Sequence, residues 1–307
     1  RSETWLCATA LVLAFATPAF AQAPAASGQP RLLPSAAAAY GEYQSEVSTI
    51  QAAPLKGANE LDKALNTFGA QNPDQLSSGW IAYSAMVAAQ DKDFAAAVRD
   101  IDGYYGRDRV MTGMRNDVGY ARTLKGGEKA LQGALQANSR DAGRISSAAA
   151  FVKTQAYKLQ DVAWGKSRLK DAGGVANKLK VNAKTVKPIA DAAQKMFAGP
   201  DLNVVLASAS AAPSDSVWDK ISVFTASAPA AALSTLSPAS SSSAMKVDAK
   251  RESTANRIVT LAAFHVLEAE NTNKDDVKAA MKDKPTFDCI DWSQLQLQAC
   301  VSAAYTR

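Results

Sequence analysis

The chain has 307 residues, carries a formal net charge of +5 at pH 7 and is 47% hydrophobic by composition. So much apolar material with so small a net charge excludes a chain that is disordered throughout, and the absence of a glycine period excludes collagen. No internal stretch is long enough to indicate a polytopic membrane protein. Alanine accounts for 63 residues, so bulky apolar side chains are scarce. A stable core then requires helices that pack closely against one another.

The N-terminal segment has the features of a secretory signal. An apolar run from Leu11 to Phe20 leads into an Ala-Phe-Ala signature at 19–21, which places small residues where a signal peptidase reads them. We therefore predict a signal peptide over 1–21 and a flexible Pro/Ala/Gly-rich leader over 22–35. The protein is then expected to be exported, either periplasmic or extracellular, with no transmembrane segment after cleavage.

The next part of the chain is patterned for helices. Residues 36–211 carry apolar side chains at three- and four-residue steps and almost no alternation of period two. This spacing predicts helices over 36–52 and over Asn59 to Phe68. Asn72, followed by Pro and an acid, is typical of a helix start, and Asp91 can cap the helix after it. We predict an all-α fold, a multi-helix array or bundle, with 36–211 as its main domain.

The longest periodic segment runs from Ser139 to Asp171, with alanines at seven-residue steps that let a neighbouring helix approach closely. The pair at 173–174 is Gly-Gly, which predicts a C-terminal cap for this helix. A further helix is expected from Ala183 to Phe197, and another from Asp201 to Ser210. The sequence therefore predicts one long central helix with shorter ones after it.

The composition then changes. Residues 212–243 are rich in Ser, Pro and Ala, which predicts a low-complexity linker that begins with a short docking helix through Val217 to Phe224. Helical signals resume over 244–307, and we expect these C-terminal helices to pack back on the main domain. Ile258 to Leu267 is apolar on nearly every side, which predicts a helix buried all round.

Two cysteines, Cys289 and Cys300, follow the predicted signal peptide. An oxidising compartment favours a disulfide between them. The spacing complicates this pairing, because Asp291 resembles an N-cap and Cys300 would then lie roughly 12 Å along the helix, whereas a disulfide needs Cα atoms within about 7 Å. We expect an internal bridge made by the chain folding back, with an intermolecular bridge or free thiols as the alternatives.

No catalytic motif stands out, and we favour a protein without catalysis. His265 is the single histidine and lies inside an apolar segment, so we expect a hydrogen-bonded core residue. One histidine and two widely spaced cysteines do not make a structural zinc site, and we expect no cofactor. A hydrolase with unrecognised carboxylates stays an alternative, because acids such as Asp275 and Asp276 are plentiful, although such pairs more often lie in the first turns of helices.

One segment has an uneven charge. Between Lys153 and Lys195, here called the basic stripe, ten Lys/Arg face three Asp, so this segment alone carries +7. A stripe of this kind attracts anionic surfaces. Export argues against nucleic acid and leaves anionic lipid, anionic glycan or an acidic protein as partners, with a merely solvated helix face as the plain alternative. The candidate anion-binding residues are Lys166, Arg168, Lys170, Lys178, Lys180, Lys184 and Lys187.

Two passages, Gly79 to Tyr83 with the turn that leads into Phe94, and Trp292 to Cys300, resemble exported helical proteins of alphaproteobacteria that have no assigned activity. The resemblance implies export and an all-α fold, and it implies no site residue. We therefore expect an exported cell-envelope protein with a structural or binding role. A module that binds anionic lipid or glycan through the basic stripe is the first alternative, and the hydrolase is the second.

Overall fold

The computed structural model describes residues 30–52, 54–159, 161–199, 202–211 and 244–303. Within these ranges the chain forms fourteen α-helices and one 3₁₀ turn, Ala249–Arg251, and contains no β-strand. The all-α prediction is confirmed for this part of the chain. The predicted signal peptide, the leader up to residue 29 and the predicted linker with its docking helix lie outside the described residues. The end of the predicted flexible leader is wrong, because the first helix already begins at Leu32.

The helices are short apart from three. The first seven are α1 (Leu32–Ala52), α2 (Ala58–Gly69), α3 (Pro73–Ala88), α4 (Lys92–Tyr105), α5 (Arg107–Asn116), α6 (Tyr120–Thr123) and α7 (Gly127–Lys158). The other seven are α8 (Ala163–Lys170), α9 (Ala172–Ala183), α10 (Asp191–Ala198), α11 (Leu202–Ala211), α12 (Glu252–Val266), α13 (Lys274–Met281) and α14 (Lys284–Ala303). Among the helices in the described ranges, none is long and apolar enough to cross a membrane.

Helix α3 lies at the centre of the molecule. It packs against α1, α7, α12 and α14, and twelve of its sixteen residues are buried. Its start is the predicted one, since the Asn72 side chain accepts a hydrogen bond from the Gln75 backbone N–H at 3.0 Å and Pro73 occupies the first turn. A helix buried on nearly all sides needs neighbours around its whole circumference, and these four helices provide most of them, with smaller contacts from α11 and α13.

Helices α1 and α3 touch backbone to backbone at Gly79. A Cβ on Gly79 would lie 2.8 Å from the carbonyl oxygen of Ala36 and 3.0 Å from the backbone nitrogen of Tyr40. Glycine is therefore required here by space. The alanines of α1 continue the same contact, because Ala37 and Ala38 are fully buried. Small side chains thus let the two helices approach closely, as the alanine-rich composition predicts.

The C-terminal helices complete the core. Helix α12 packs against α3 and α7, and the segment predicted to be buried all round, Ile258 to Leu267, has only Val266 outside the buried class. Helix α14 packs against α2, α3 and α9. Its approach to α2 is close, because a Cβ on Gly69 would lie 2.7 Å from a methyl group of Leu297. The buried side chains of α12 therefore belong to the same hydrophobic core as those of α3.

The long central helix is placed differently from its prediction. It begins earlier, at Gly127, after Gly126 with φ of +83°, and it ends at Lys158. The chain then turns into α8, where a Cβ on Gly165 would lie 2.4 Å from the carbonyl oxygen of Leu159. The Gly-Gly pair at 173–174 lies inside α9 and caps nothing. The predicted helix is thus divided into the second part of α7 and the separate helix α8, because the chain turns at this tight glycine contact.

The expected internal disulfide between Cys289 and Cys300 is wrong. Helix α14 begins before the predicted cap, because the Asp283 side chain accepts a hydrogen bond from the Thr286 backbone N–H at 3.1 Å and Pro285 fits the first turn. Both cysteines are consequently inside one helix, eleven residues apart, which is about 16 Å along the axis. Both are free and exposed.

The contact at Gly79 yields a stability prediction. Gly79→Ala should lower the free energy of unfolding by about 2 kcal/mol, because α1 and α3 must separate to admit the methyl group. Gly143→Ala is the matched control, since a Cβ there meets nothing within 4 Å, and it should raise stability by roughly 0.5–1 kcal/mol by restricting the unfolded chain. Urea unfolding followed by circular dichroism measures both. A Gly79→Ala protein as stable as the control contradicts the close contact.

The geometry of α14 yields a prediction for the thiols. Both Cys289 and Cys300 should react with an aromatic disulfide reagent in the native protein without denaturant, because both are exposed. Cys289→Ser should remove one reactive thiol and leave the other unchanged. Peptide mapping of the unreduced protein supplies the decisive readout, and an intramolecular Cys289–Cys300 linkage in a monomer contradicts the single helix.

Candidate functional site

The basic stripe folds into α8, α9 and the segment after α9. On α8, Lys166 and Lys170 are exposed and lie one turn apart on the same side. Arg168 lies on the inner side, where its Nη2 donates to Oδ2 of Asp62 on α2 at 2.5 Å. Arg168, one of the candidate anion-binding residues, is thus already engaged in an ion pair within the chain.

Helix α9 has a buried stripe of small and apolar residues at three- and four-residue steps, formed by Ala172, Ala176, Leu179 and Ala183. The candidate lysines lie outside this stripe. Lys187 is half-buried beyond the helix, where its backbone exchanges hydrogen bonds with the Gln75 side chain at 3.0 and 2.7 Å. Five candidates remain exposed and form no ion pair with a described residue, namely Lys166, Lys170, Lys178, Lys180 and Lys184.

Apolar side chains lie among these lysines on the same helices. Leu169 on α8 is 40% exposed, Val181 on α9 is 57% exposed, and Val186 just after α9 is 67% exposed. Single exposed apolar residues are common on protein surfaces, but here three of them occur within one short basic segment. We call the exposed surface of 163–187 the α8–α9 face. It combines unpaired positive charge with exposed hydrocarbon.

An apolar groove of about 190 Å³ lies beneath the inner side of α8. It is bounded by α2, the end of α7, α8, α9 and the last turns of α14. Its wall is largely hydrocarbon, and the polar side chains in it are Asp62 and Arg168. The Arg168 Nε–H is buried without a hydrogen-bond partner among the described residues. The apolar residues that line the groove include Leu61, Leu65, Leu159, Trp164, Val175 and Val301.

A second cavity contains two carboxylates but little space. Glu42, Glu46 and Lys187 line it, and its volume is about 20 Å³, which is room for roughly one water molecule. Burial raises the pKa of Glu46, an effect that the neighbouring Lys187 partly opposes. The hydrolase alternative requires a deep pocket with at least two acids, and this cavity has the acids without the space for a substrate.

His265 is a buried, hydrogen-bonded residue, as expected. Its Nδ1 lies 2.6 Å from Oε1 of Glu270, and Nη2 of Arg31 donates to the same oxygen at 2.7 Å. The other carboxylate oxygen accepts from the Leu33 backbone N–H at 3.1 Å. Burial raises the pKa of Glu270, but the hydrogen bond from His265, the Arg31 charge and the Leu33 N–H together hold it below its ordinary value. These contacts join the start of α1 to the end of α12.

A buried polar cluster connects α1, α3 and α7. The Tyr40 hydroxyl donates to Oδ2 of Asp141 at 3.2 Å and accepts from Nε2 of Gln44 at 2.8 Å. The Tyr40 and Tyr83 rings lie 5.3 Å apart. Burial, with the nearby Asp141 charge, raises the pKa of both tyrosines well above the ordinary value. Because these side chains are enclosed by the three helices, the cluster orients the core and does not face a ligand.

Comparisons with known proteins identify no relative. No protein-family model matches the chain, and no curated protein or solved structure matches it. Within the described ranges, no group of three or more His, Cys, Asp or Glu side chains is placed to hold a metal ion. The α8–α9 face and the groove beneath it are therefore the features of the described residues that bear on function.

Sequence reasoning identified the lysines but missed the groove. Asp62 and Leu61 lie in α2, far from the basic stripe along the chain, and only the fold brings them beneath α8. The residues next to Arg168 in the sequence do not indicate its ion pair with Asp62, which is 106 residues away along the chain. The one available sign was the i, i+4 spacing of Lys166 and Lys170, which places these two on one side of a helix and Arg168 on another.

The Glu270 contacts yield a pH-dependent prediction. Because the pKa of Glu270 is lowered on folding, its stabilising contribution is complete above the unfolded-state value and is lost as the pH falls through the lower folded-state value. Glu270→Gln should cost about 2 kcal/mol near neutral pH, less than a fully buried pair because Arg31 is partly exposed. The difference from wild type should shrink below about pH 4.

Asp276→Asn is the matched control for this substitution. Asp276 pairs with Arg115 at 2.6 Å on the surface, so its loss should cost less than about 1 kcal/mol. Chemical denaturation of the three proteins from pH 3 to 7 makes the measurement. Equal costs for the two variants, or a Glu270→Gln cost independent of pH, contradict the assigned role.

Proposed function

We propose that the protein is an exported, non-catalytic component of the cell envelope that docks on anionic lipid surfaces through its α8–α9 face. The observation that carries the proposal is the set of five exposed, unpaired lysines interleaved with Leu169, Val181 and Val186. An anionic lipid surface offers negative charge and hydrocarbon together, and this face complements both.

The charge on the face is large enough to matter. Each lysine near an anionic membrane contributes about 1 kcal/mol, so the five exposed lysines together contribute on the order of 5 kcal/mol at low ionic strength. Salt screens this attraction over about 8 Å at physiological ionic strength. Binding through the face should therefore weaken steeply as salt is added, and the apolar residues should supply the part that salt does not remove.

A lipid surface accounts for more of the face than the other anionic partners do. An anionic glycan or an acidic protein segment would use the lysines and leave three exposed apolar side chains without a role. The hydrolase alternative has no support from the small Glu42–Glu46 cavity. Helix α8 lies at the periphery and packs mainly on α2. A helix in this position is better suited to docking than to supporting the core.

Charge reversal tests the proposal. The triple variant Lys166→Glu, Lys170→Glu and Lys178→Glu should bind phosphatidylglycerol-containing vesicles at least about 100-fold more weakly at 0.1 M salt, since attraction at three positions becomes repulsion. Vesicle co-sedimentation as a function of salt is the measurement. Arg168 is left unchanged, because its partner is Asp62.

The control reverses three exposed lysines elsewhere, Lys125, Lys250 and Lys278, so that the net charge changes equally. Its vesicle binding should fall by a few-fold at most, because only the overall field changes. Equal losses in the two triple variants, or no vesicle binding by wild type at low salt, would overturn the proposal. Binding to an anionic polysaccharide without binding to vesicles would assign the face to glycan instead.

A further inference from the structure

The two exposed cysteines of α14 lie on one side of this helix. Cys289 and Cys300 are eleven residues apart, which is three helical turns and about 20° of rotation. Ser293 and Gln296 lie between them, so the four residues follow one another at steps of four, three and four. All four are exposed and none is charged. We call this line of residues the α14 seam, and its spacing is that of the contact line in a two-stranded coiled coil.

The surface beside the α14 seam is also suited to a protein contact. Trp292 is 63% exposed, and Ala299, which lies two turns later on the same flank of the seam, is exposed as well. A large exposed indole is a side chain that protein interfaces favour. The sequence from Trp292 to Ala303 contains no charged residue. A second helix of the same sequence therefore meets no like charge when it approaches this surface.

The order of residues along the α14 seam fits an antiparallel copy of the same helix. Rotation about a two-fold axis at the middle of the seam places Cys289 of one copy opposite Cys300 of the second copy. The same rotation places the small Ser293 opposite the long Gln296. A parallel pair would place every residue opposite itself and align the two helix dipoles. Side-chain size and dipole direction therefore both favour the antiparallel pair.

A disulfide can span the distance between two helices packed in this way. The axes of packed helices are about 8–10 Å apart, and the Cα atoms lie about 2.3 Å from each axis. Facing Cα atoms are then about 5.5 Å apart at the larger axial distance, and a disulfide needs about 4.4–6.8 Å. Two copies can thus form two bridges, although a single copy cannot join its own Cys289 to its own Cys300.

We propose that the α14 seam binds a second copy of this chain in antiparallel orientation, with two disulfides that each join Cys289 of one copy to Cys300 of the other. The seam is about 20 Å long and about 10 Å wide, so it buries roughly 200 Å² per copy, whereas a stable interface needs about 800 Å². Packing at the seam alone is therefore too weak, and the dimer requires the bridges. The proposal goes beyond lipid docking and takes from it only an exported, oxidising location.

The bridges form by exchange with a disulfide donor such as oxidised glutathione. The thiolate of one cysteine attacks a donor sulfur, which gives a mixed disulfide and releases one donor thiol. The facing cysteine of the second copy then attacks the protein sulfur of the mixed disulfide and releases the other donor thiol. Two bridges oxidise four protein thiols, reduce two donor disulfides and release four donor thiols, which take up the four protons.

Single-cysteine variants test the pairing. After reduction and incubation with oxidised glutathione, wild type should become a covalent dimer on a non-reducing gel and in size-exclusion chromatography. Cys289→Ser and Cys300→Ser should each stay monomeric alone, because the remaining cysteine faces a serine. An equal mixture of the two variants should form a dimer with one bridge. Dimers of either variant alone as abundant as those of the mixture, or a wild type that stays monomeric, would overturn the proposal.

Peptide mapping of the wild-type dimer identifies the linked residues directly. The expected product is a Cys289–Cys300 peptide from a species of twice the monomer mass, which returns to monomer when a reductant is added. A dimer linked through Cys289–Cys289 and Cys300–Cys300 peptides contradicts the antiparallel pair. Neither this measurement nor the single-cysteine series involves lipid, so both test the dimer independently of lipid docking.

Charges placed in the α14 seam test the packing while both cysteines stay in place. Ser293→Lys/Gln296→Lys brings lysines opposite each other at two points and should slow dimer formation at least about tenfold. Leu295→Lys/Ser302→Lys is the matched control, because it adds the same charge at exposed positions of α14 outside the seam, and it should dimerise as wild type does. Equal rates for the two variants contradict the seam. Thermal unfolding of the reduced proteins checks that both variants fold.

Discussion

The structure depends on the close approach of α1 and α3 at Gly79. This contact brings the two backbones so close that a methyl group at Gly79 has no space. Once α1 and α3 are joined, the remaining sides of α3 are left for α7, α12 and α14. The buried hydrogen bond from the Tyr40 hydroxyl to Asp141 then connects α7 to this pair, and Gln44 on α1 donates to the same hydroxyl. Alanine-rich helices can be stable without many bulky side chains when the backbones pack this closely.

The peripheral helices are packed less completely than the helices of the core. Helices α8 and α9 pack on α2 and α14, at a distance from the α1–α3 contact. Here the packing leaves an apolar groove and a buried donor on Arg168, which a stability-optimised surface would fill or pair. The lysines on the outer side of α8 and α9 lie next to this groove. The exposed lysines and apolar side chains of the α8–α9 face are the observations on which the proposed docking on anionic lipid is based.

The features that could be predicted from the sequence are those decided by near neighbours in the chain. The Asn72 and Asp91 caps were predicted because a capping side chain bonds a backbone N–H three residues ahead, and both bonds are present at 3.0 and 2.9 Å. The burial of Ile258 to Leu267 was predicted because apolar residues on every side of a helix leave no face for water. The pattern at Asp291 is a stronger sequence signal for a helix start than Asp283, yet Asp283 caps α14, and both cysteines therefore lie in one helix.

The sequence by itself determined the all-α class, several of the helix starts and the concentration of positive charge in one segment, because caps, periodicity and composition act over a few residues. The tertiary structure alone decided which of those positive side chains are available. Arg168 is paired with Asp62, more than a hundred residues away along the chain, and Lys187 is held beside Glu46. It also decided that five helices meet around an apolar groove. Contacts between helices that are distant in the sequence depend on how those helices cross in space. The spacing of residues along one helix does not predict them. The basic stripe that the sequence marks as uniform is thus divided by the fold into an outer charged face and an inner polar contact.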